Sequence, residues 1–222
     1  MPALLSHTIG SDHFVLSSER TLFWENEQTL IVADLHIGKT GHFRKSGIAV
    51  PQSVYKEDLQ RLMTQILFFK ADKLIIVGDL SHSHANRELD LFLRWRRDFS
   101  SLDIKLARGN HDILDAKWYE EAAIEVHEKP LVIGGHQFIH DVLEPGITLT
   151  EGLHTFSGHV HPAVSLRGKG KQALRFPCFY FTDNYCILPA FSRFTGSYTV
   201  EPGKNDHAYA LVEKDIILLG KK

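Results

Sequence analysis

Thr29-Leu30-Ile31-Val32-Ala33-Asp34-Leu35-His36 is the stretch on which the organisation of the chain depends. Its first five residues form an apolar run typical of a buried β-strand, and two side chains that can bind a metal follow the strand at once. Alternate side chains of an extended chain share a face, so Asp34 and His36 can project together. A D-x-H pair alone fits a strand-end turn with a capping aspartate equally well, so its interpretation depends on the rest of the chain.

Two further apolar runs also end in polar residues. Lys73–Val77 leads into Gly78-Asp79, and residues 104–107 lead into Arg108-Gly109-Asn110-His111-Asp112. Apolar residues at helical spacing predict a helix between each pair of runs. Strand, helix, strand, helix, strand is the order found in layered α/β folds, whose sites lie at the carboxyl ends of the strands.

The second half of the chain has a different pattern. Short apolar runs separated by Gly, Pro or Asp/Asn turns predict mainly antiparallel strands. Two sheets packed face to face, with helices outside, would accommodate both halves. The chain has 222 residues, 43% of them hydrophobic, and no repeat or linker divides it. We therefore predict a single α/β domain, α+β in its layering, over residues 1–222.

Composition excludes some functional classes. The net charge of -2 gives no global positive field that would attract nucleic acid, so any contact with a polyanion must be local. The first 24 residues lack the basic opening and long apolar run of a secretory signal, and no segment reaches membrane-spanning length. We expect a soluble, cytoplasmic protein without a membrane partner.

The two cysteines are predicted to be reduced. Cys178 and Cys186 lie in consecutive predicted strands around the turn Asp183-Asn184. A two-residue turn pairs Phe181 with Cys186, which leaves Cys178 out of register for a disulfide.

Side chains suited to divalent metals fall at predicted strand ends or on short strands. The candidate ligands are Asp34, His36, Asp79, Asn110, His140, His159 and His161. Carboxylates satisfy hard cations, and imidazole raises the affinity for manganese, iron, cobalt, nickel or zinc over magnesium. Seven ligands are too many for one ion, so we predict two divalent ions, with Mn2+ expected and Asp79 as the bridging carboxylate.

Several histidines leave alternatives open. His136 lies four residues before His140 and could replace it; we favour His140, because it follows an apolar run as the other ligands do. His82 either reaches the rim of the cleft or lies in a solvated loop. His111, directly after a candidate ligand, points elsewhere and is a candidate general acid, with Asp112 available to orient its ring.

In sequence order, D-x-H, G-D, G-N-H-D, a lone His and G-H-x-H resemble the motifs of the calcineurin-like metallophosphoesterase superfamily. The resemblance implies a double β-sandwich of mixed sheets flanked by helices, with a dinuclear metal centre. It implies that one metal is bound by Asp34, His36, Asp79 and His161, and the other by Asp79, Asn110, His140 and His159. It also implies that His111 is the catalytic acid.

Other stretches resemble the bacterial DNA ligase-associated metallophosphoesterases. They are residues 34–39, 43–44, 47–51, 177–179, 188–191 and 194–197. This resemblance implies a DNA-repair setting in which a ligase, a helicase and a nuclease-like protein are associated proteins. The chain departs from the pattern at Ser192, where glycine is expected, and at Asp141, where glutamate is usual.

These features predict a two-metal phosphoesterase, and we favour a phosphodiesterase: a metal-bound hydroxide attacks phosphorus, and His111 protonates the departing oxygen. The expected substrate is a phosphate ester, such as a nucleotide or a nucleic-acid end. Lys39 and Arg44, in the loop after the first ligand pair, are candidate phosphate contacts, with simple solvation as the alternative. The alternative function is a metal-stabilised scaffold that recruits DNA-repair partners.

Overall fold

The computed structural model of the chain describes residues 1–45, 47, 50, 53–82, 87–167 and 173–219. Within these residues the chain forms two β-sheets and four α-helices. The helices are α1 (Lys39–Lys45), α2 (Ser53–Phe69), α3 (Arg87–Asp98) and α4 (Ala116–Glu121). The predicted mixed α/β class is confirmed. Helix α1 lies where the sequence predicted only a loop.

The first sheet has seven strands in chain order. They are β1 (Leu4–Ile9), β2 (Asp12–Ser17), β3 (Thr21–Trp24), β4 (Thr29–Val32), β5 (Lys73–Val77), β6 (Asp103–Ala107) and β7 (Ile124–His127). Strands β1 to β4 pair antiparallel, and β4 to β7 pair parallel. The three central strands end level with one another, because Val32 is opposite Ile76 and Val77 is opposite Ala107.

The second sheet has nine strands. They are β8 (Leu131–Ile133), β9 (His136–Phe138), β10 (His154–Ser157), β11 (Pro162–Arg167), β12 (Ala173–Phe181), β13 (Tyr185–Ile187), β14 (Tyr198–Thr199), β15 (His207–Val212) and β16 (Asp215–Leu219). Antiparallel pairs predominate, but β10 pairs parallel with both β9 and β13. The turn between β12 and β13 places Phe181 opposite Cys186, and both cysteines are free, as predicted.

Two apolar clusters hold these layers together. Successive side chains of β4 point to opposite faces of the sheet. Leu30 and Val32 pack with residues of the helices, whereas Ile31 packs with residues of the second sheet, such as Phe156. The same alternation along β5 separates Ile76 from Ile75. Strands β4 and β5 of the first sheet are therefore buried on both faces, as expected for the parallel part of a layered fold.

Helix ends carry the expected chemistry. Asp115 caps α4 and accepts a hydrogen bond from the Lys117 amide. Helix α3 has Glu88 in its first turn and Arg97 in its last, which complements the helix dipole. No helix within the described ranges is long and apolar enough to cross a membrane.

Candidate metal centre

Strand ends bring the candidate ligands to one place between the sheets. Asp34 and Asp79 each lie two residues beyond a central strand of the first sheet, and Asn110 lies three residues beyond the next. His140 lies two residues beyond β9, and His159 two residues beyond β10 of the second sheet. The backbone amide of His159 donates hydrogen bonds to the Asp34 carboxylate, at 3.1 and 3.2 Å, and so joins the two sheets at this point.

The first cluster consists of Asp34, His36 and His161. The Nε2 atoms of the two histidines are 3.2 Å apart, and Nε2 of His161 is 3.5 Å from Oδ1 of Asp34. The Asp34 side chain is fully buried, and His36 is nearly so. These three side chains therefore present ligand atoms to one enclosed point.

The second cluster consists of Asp79, His140 and His159. Nε2 of His140 lies 3.0 Å from Nδ1 of His159, 3.4 Å from Oδ1 of Asp79 and 3.0 Å from Oδ1 of Asn110. His159 is 43% exposed at its side chain, unlike any member of the first cluster. The second cluster borders a groove of about 390 Å³ that is also lined by Arg108, Glu128, Asp141 and Glu144.

Asp79 lies between the clusters. Its Oδ1 faces His140, and its Oδ2 is 3.9 Å from Nδ1 of His36 in the first cluster. Asp79 Oδ1 also accepts a hydrogen bond of 3.0 Å from the His111 amide, which fixes the carboxylate. A carboxylate in this position can contact ions in both clusters.

The residues present fit divalent cations. Asp34 and Asp79 are buried, yet within the described part of the chain no lysine or arginine comes within 4.0 Å of either carboxylate. Buried carboxylates need a counter-charge. Burial lowers the pKa of His36, with help from Lys39 and the neighbouring histidines, so its ring is neutral and able to act as a ligand. Burial also raises the pKa of Asp79, because removal from water disfavours the charged carboxylate.

Backbone strain is concentrated at this centre. Ten non-glycine residues in the described ranges have positive φ, and five of them are candidate ligands. These are Asp34 (55°), His36 (50°), Asp79 (48°), His159 (65°) and His161 (51°). The left-handed region costs an L-residue about 1 to 3 kcal/mol, and such strain is found at functional sites.

Glycine is required beside the second cluster. Gly78 has a φ of +75°, and a Cβ there would lie 1.9 Å from Nδ1 of His140. A Cβ at Gly109 would lie 2.3 Å from Oδ1 of Asp79. Two of the predicted motifs therefore contain glycine because the ligands approach the backbone closely.

His111 lies beside the clusters but belongs to neither. Its ring is 5.9 Å from that of His36 and 4.5 Å from that of His82, centroid to centroid. His82, for which the sequence left a solvated loop open, therefore packs against both the candidate acid and a candidate ligand, since its ring is also 5.3 Å from His36. Its near neighbour His84 lies outside the described residues.

The expectation that Asp112 orients the His111 ring was wrong. The Asp112 carboxylate is fully buried and accepts hydrogen bonds of 2.9 Å from the amides of Ser81 and Gly109. Burial raises the pKa of Asp112 to about 7, opposed by these hydrogen bonds. Asp112 therefore connects the loop after β5 with the loop after β6. Adjacent side chains of a tight turn point in different directions, and for this reason Asp112 does not orient the ring of its neighbour His111.

The two candidate phosphate contacts differ. Lys39 is half-buried, and its Nζ donates a 3.4 Å hydrogen bond to Oγ1 of Thr195. Burial lowers the pKa of Lys39, whereas the charges of Asp79 and Asp34 raise it. The Lys39 ammonium therefore interacts electrostatically with both carboxylates. Arg44 donates a hydrogen bond of 2.9 Å to the buried Glu88 carboxylate. Because this pairing engages the guanidinium, Arg44 is poorly placed to bind a phosphate.

Glu88 was missed from the sequence. Its carboxylate also accepts a 3.0 Å hydrogen bond from the Gly38 amide and another from the Thr40 hydroxyl. A glutamate in the first turn of a helix is normally explained by its favourable interaction with the helix dipole. Nothing in the sequence links Glu88 to a loop about fifty residues earlier. Glu88 holds the segment that carries Lys39 against the rest of the site.

His136 lies away from both clusters. Its Nε2 is 3.0 Å from Oδ2 of Asp12, and its ring packs on Phe14 and Trp24. Of the two histidines between which spacing could not decide, the structure therefore brings His140 to the other ligands and gives His136 a place in the core.

Comparisons with known proteins identify one family model and several similar solved structures. The family model for calcineurin-like phosphoesterases matches residues 28–205. Among solved structures, the chain is similar to the nuclease MPE of Pseudomonas putida, with 27% identity and a TM-score of 0.83 over 98% of this chain and 100% of that one. A second, Yfce, a phosphoesterase from E. coli, has 16% identity and a TM-score of 0.46 over 86% of this chain and 98% of that one. A search of curated proteins gave no match.

Proposed function

The chain belongs to the calcineurin-like phosphoesterase family, and from that premise we propose that it is a phosphodiesterase with a two-ion centre, active on nucleic acid or nucleotides. The observation that carries the proposal is the position of Asp79, whose two carboxylate oxygens face two separate ligand clusters. A single structural ion would need only one such cluster.

Each cluster has a defined set of donors for its ion. We assign Asp34, His36, Asp79 and His161 to the first ion, and Asp79, Asn110, His140 and His159 to the second. The mixture of carboxylate, amide and imidazole donors favours Mn2+ or a related first-row ion. When bound, two such ions hold a phosphoryl group and lower the pKa of water.

His111 is the general acid in this proposal. Its backbone amide is fixed by Asp79, and its ring is left out of both clusters. A ring next to the phosphoryl position, but free of metal, can donate its proton to the departing ester oxygen. His82 and His36 pack around that ring and keep it at the edge of the centre.

The choice of a diester substrate rests on similarity and on charge. The solved structure with 27% identity is named as a nuclease. On this chain, Lys39 is half-buried beside the first cluster and Arg108 lines the groove beside the second, so cationic side chains are available to a phosphate diester. The resemblance to DNA ligase-associated enzymes supports a cytoplasmic DNA-repair setting, with a ligase and a helicase as candidate partners.

The test is hydrolysis of bis-p-nitrophenyl phosphate and of p-nitrophenyl phosphate by the manganese-loaded protein, with Asp79→Asn as the control. We expect the diester to be hydrolysed and the variant to be inactive. Equal, background-level rates for both proteins would reject the enzyme and favour the scaffold alternative. Faster hydrolysis of the monoester would reject the diester preference alone.

A separate variant tests the general acid. His111→Ala should keep two manganese ions per chain and lose about 100- to 10,000-fold in kcat. The loss should be smaller with bis-p-nitrophenyl phosphate than with a DNA substrate, because the p-nitrophenolate leaving group departs without protonation. Unchanged turnover of DNA would reject the role of His111.

A further inference from the structure

The segment of residues 194–197 lies beside the first cluster, although none of its side chains is a predicted ligand. Nδ1 of His161 is 2.8 Å from Oγ1 of Thr195 and 3.2 Å from the carbonyl oxygen of Gly196. A carbonyl oxygen only accepts hydrogen bonds, so Nδ1 of His161 carries the proton. Nε2, which faces His36 and Asp34, is then left with its lone pair free for an ion.

The Thr195 hydroxyl has a second partner. Nζ of Lys39 donates to the same oxygen at 3.4 Å. Lys39 follows the first ligand pair in the chain, whereas His161 enters from the second sheet. One hydroxyl oxygen, with two lone pairs, therefore connects the loop of Asp34 and His36 to the histidine that completes the first cluster.

Among the residues that the structure describes, none supports the exposed histidine of the second cluster in this way. Nε2 of His159, the ring atom remote from the cluster, is 3.7 Å from Oδ2 of Asp141, which is too far for a hydrogen bond. The tight contact at His161 is therefore a particular feature of the first cluster, and not a property of every histidine at the centre.

We propose that Thr195 is a positioning residue that fixes the orientation of the His161 ring, whose Nδ1-protonated tautomer the Gly196 carbonyl selects, and, through Lys39, the loop of the first ligand pair. This inference rests on the proposed two-ion centre. Partners of this kind typically contribute 10- to 100-fold to metal affinity. The effect should fall on the first ion and leave the second unchanged.

The experiment compares Mn2+ binding by the wild type with three variants, using the electron paramagnetic resonance signal of free Mn2+. Thr195→Val keeps the shape and removes the hydroxyl; Thr195→Ser keeps the hydroxyl. Thr199→Val is the matched control, since Thr199 lies on β14, next to this segment, and forms none of these contacts. We expect Thr195→Val to weaken one of two Mn2+ equivalents 10- to 100-fold, and the other two variants to bind as the wild type does.

The outcomes separate the inference from the function beneath it. Two wild-type Mn2+ equivalents with unchanged binding by Thr195→Val would overturn the role of Thr195 and leave the two-ion centre intact. No Mn2+ binding by the wild type would overturn both.

A measurement on the wild type tests the tautomer of His161 on which the inference depends, even if Thr195→Val fails to fold. Histidine 15N spectra of the zinc-loaded protein should show His161 protonated at Nδ1 and bound through Nε2, whereas binding through Nδ1 would overturn the inference.

Discussion

Two groups of histidines lie between the sheets, and β9 and β10 each carry one member of each group at opposite ends. The metal-centre histidines are His36, which follows β4, His140 and His159, which follow β9 and β10, and His161, which precedes β11. The distal histidines, His7, His136 and His154, lie on β1 and at the amino ends of β9 and β10. Only the first group contains three or more converging ligand atoms within the described ranges.

The distal histidines are used for packing. Nδ1 of His7 is 3.2 Å from the Tyr209 hydroxyl, and its ring lies 4.1 Å from Phe181. His136 pairs with Asp12 across the two sheets. The His154 ring packs on Phe156 and Phe181. Within the described residues these three rings belong to no group of converging ligand atoms. A histidine cluster becomes a candidate metal site through converging lone pairs and buried carboxylates, and the number of histidines does not decide it.

The largest expected effect separates His140 from His136. His140→Ala should lower phosphodiesterase activity at least about 1,000-fold, about 4 kcal/mol in the barrier, because a proposed ligand is lost. His136→Ala should leave kcat within about twofold and lower the free energy of unfolding by about 2 kcal/mol, because a buried hydrogen bond and packing are lost. Steady-state kinetics and urea unfolding measure both quantities. Loss of activity in His136→Ala, in a protein that stays folded, would break the distinction.

The sequence could predict which strand ends meet, and this was enough to assemble the centre. Apolar runs identified β4, β5 and β6, and parallel pairing aligns their carboxyl ends. His136 and His140 are about 13 Å apart in an extended chain, so only one of them can reach that edge. The order of the strands in the second sheet, which decides between them, depends on contacts distant in sequence.

Side-chain direction within the loops could not be predicted. Asp112 and Arg44 were each placed in the right region but given the wrong partner, since the Ser81 amide and Glu88 come from other parts of the chain. The positive φ values at Asp34 and Asp79 are equally hidden, because neither residue type requires them. Propensity describes local preference, and at this site tertiary contacts override it.

The next effect compares a glycine beside the metal-centre histidine His140 with a glycine beside the distal histidine His136. Gly78→Ala should destabilise the protein by about 3 kcal/mol, because its Cβ would overlap His140 in a left-handed backbone conformation. Gly135→Ala, beside His136, has no atom within 4 Å of the added Cβ and should change stability by less than about 0.5 kcal/mol. Urea unfolding of both variants provides the comparison. Equal stabilities would mean that the backbone beside His140 is not constrained as described.

Metal removal should change the stability through the metal-centre histidines and not through the distal histidines. An ion present at a hundredfold its Kd stabilises the folded state by about 2.7 kcal/mol, so chelation should lower the wild-type free energy of unfolding by about that amount for each ion. His136→Ala should respond to EDTA as the wild type does, because the two regions are independent. His140→Ala should respond less. An EDTA effect of full size in His140→Ala would show that His140 does not support an ion.

Acidification should produce the smallest effect, and it should come from the distal end. Burial, and then the charges of His136 and His7, lower the pKa of His154 from 6.5 to about 4. Between these values the unfolded chain binds a proton that the folded chain does not, so the contribution is complete above pH 6.5 and is lost as the pH falls toward 4. Allowing for partial exposure of the ring, this amounts to about 2 kcal/mol. Urea unfolding in EDTA at several pH values should give a flatter pH dependence for His154→Gln than for the wild type. Equal slopes would reject the contribution of His154 to the acid sensitivity.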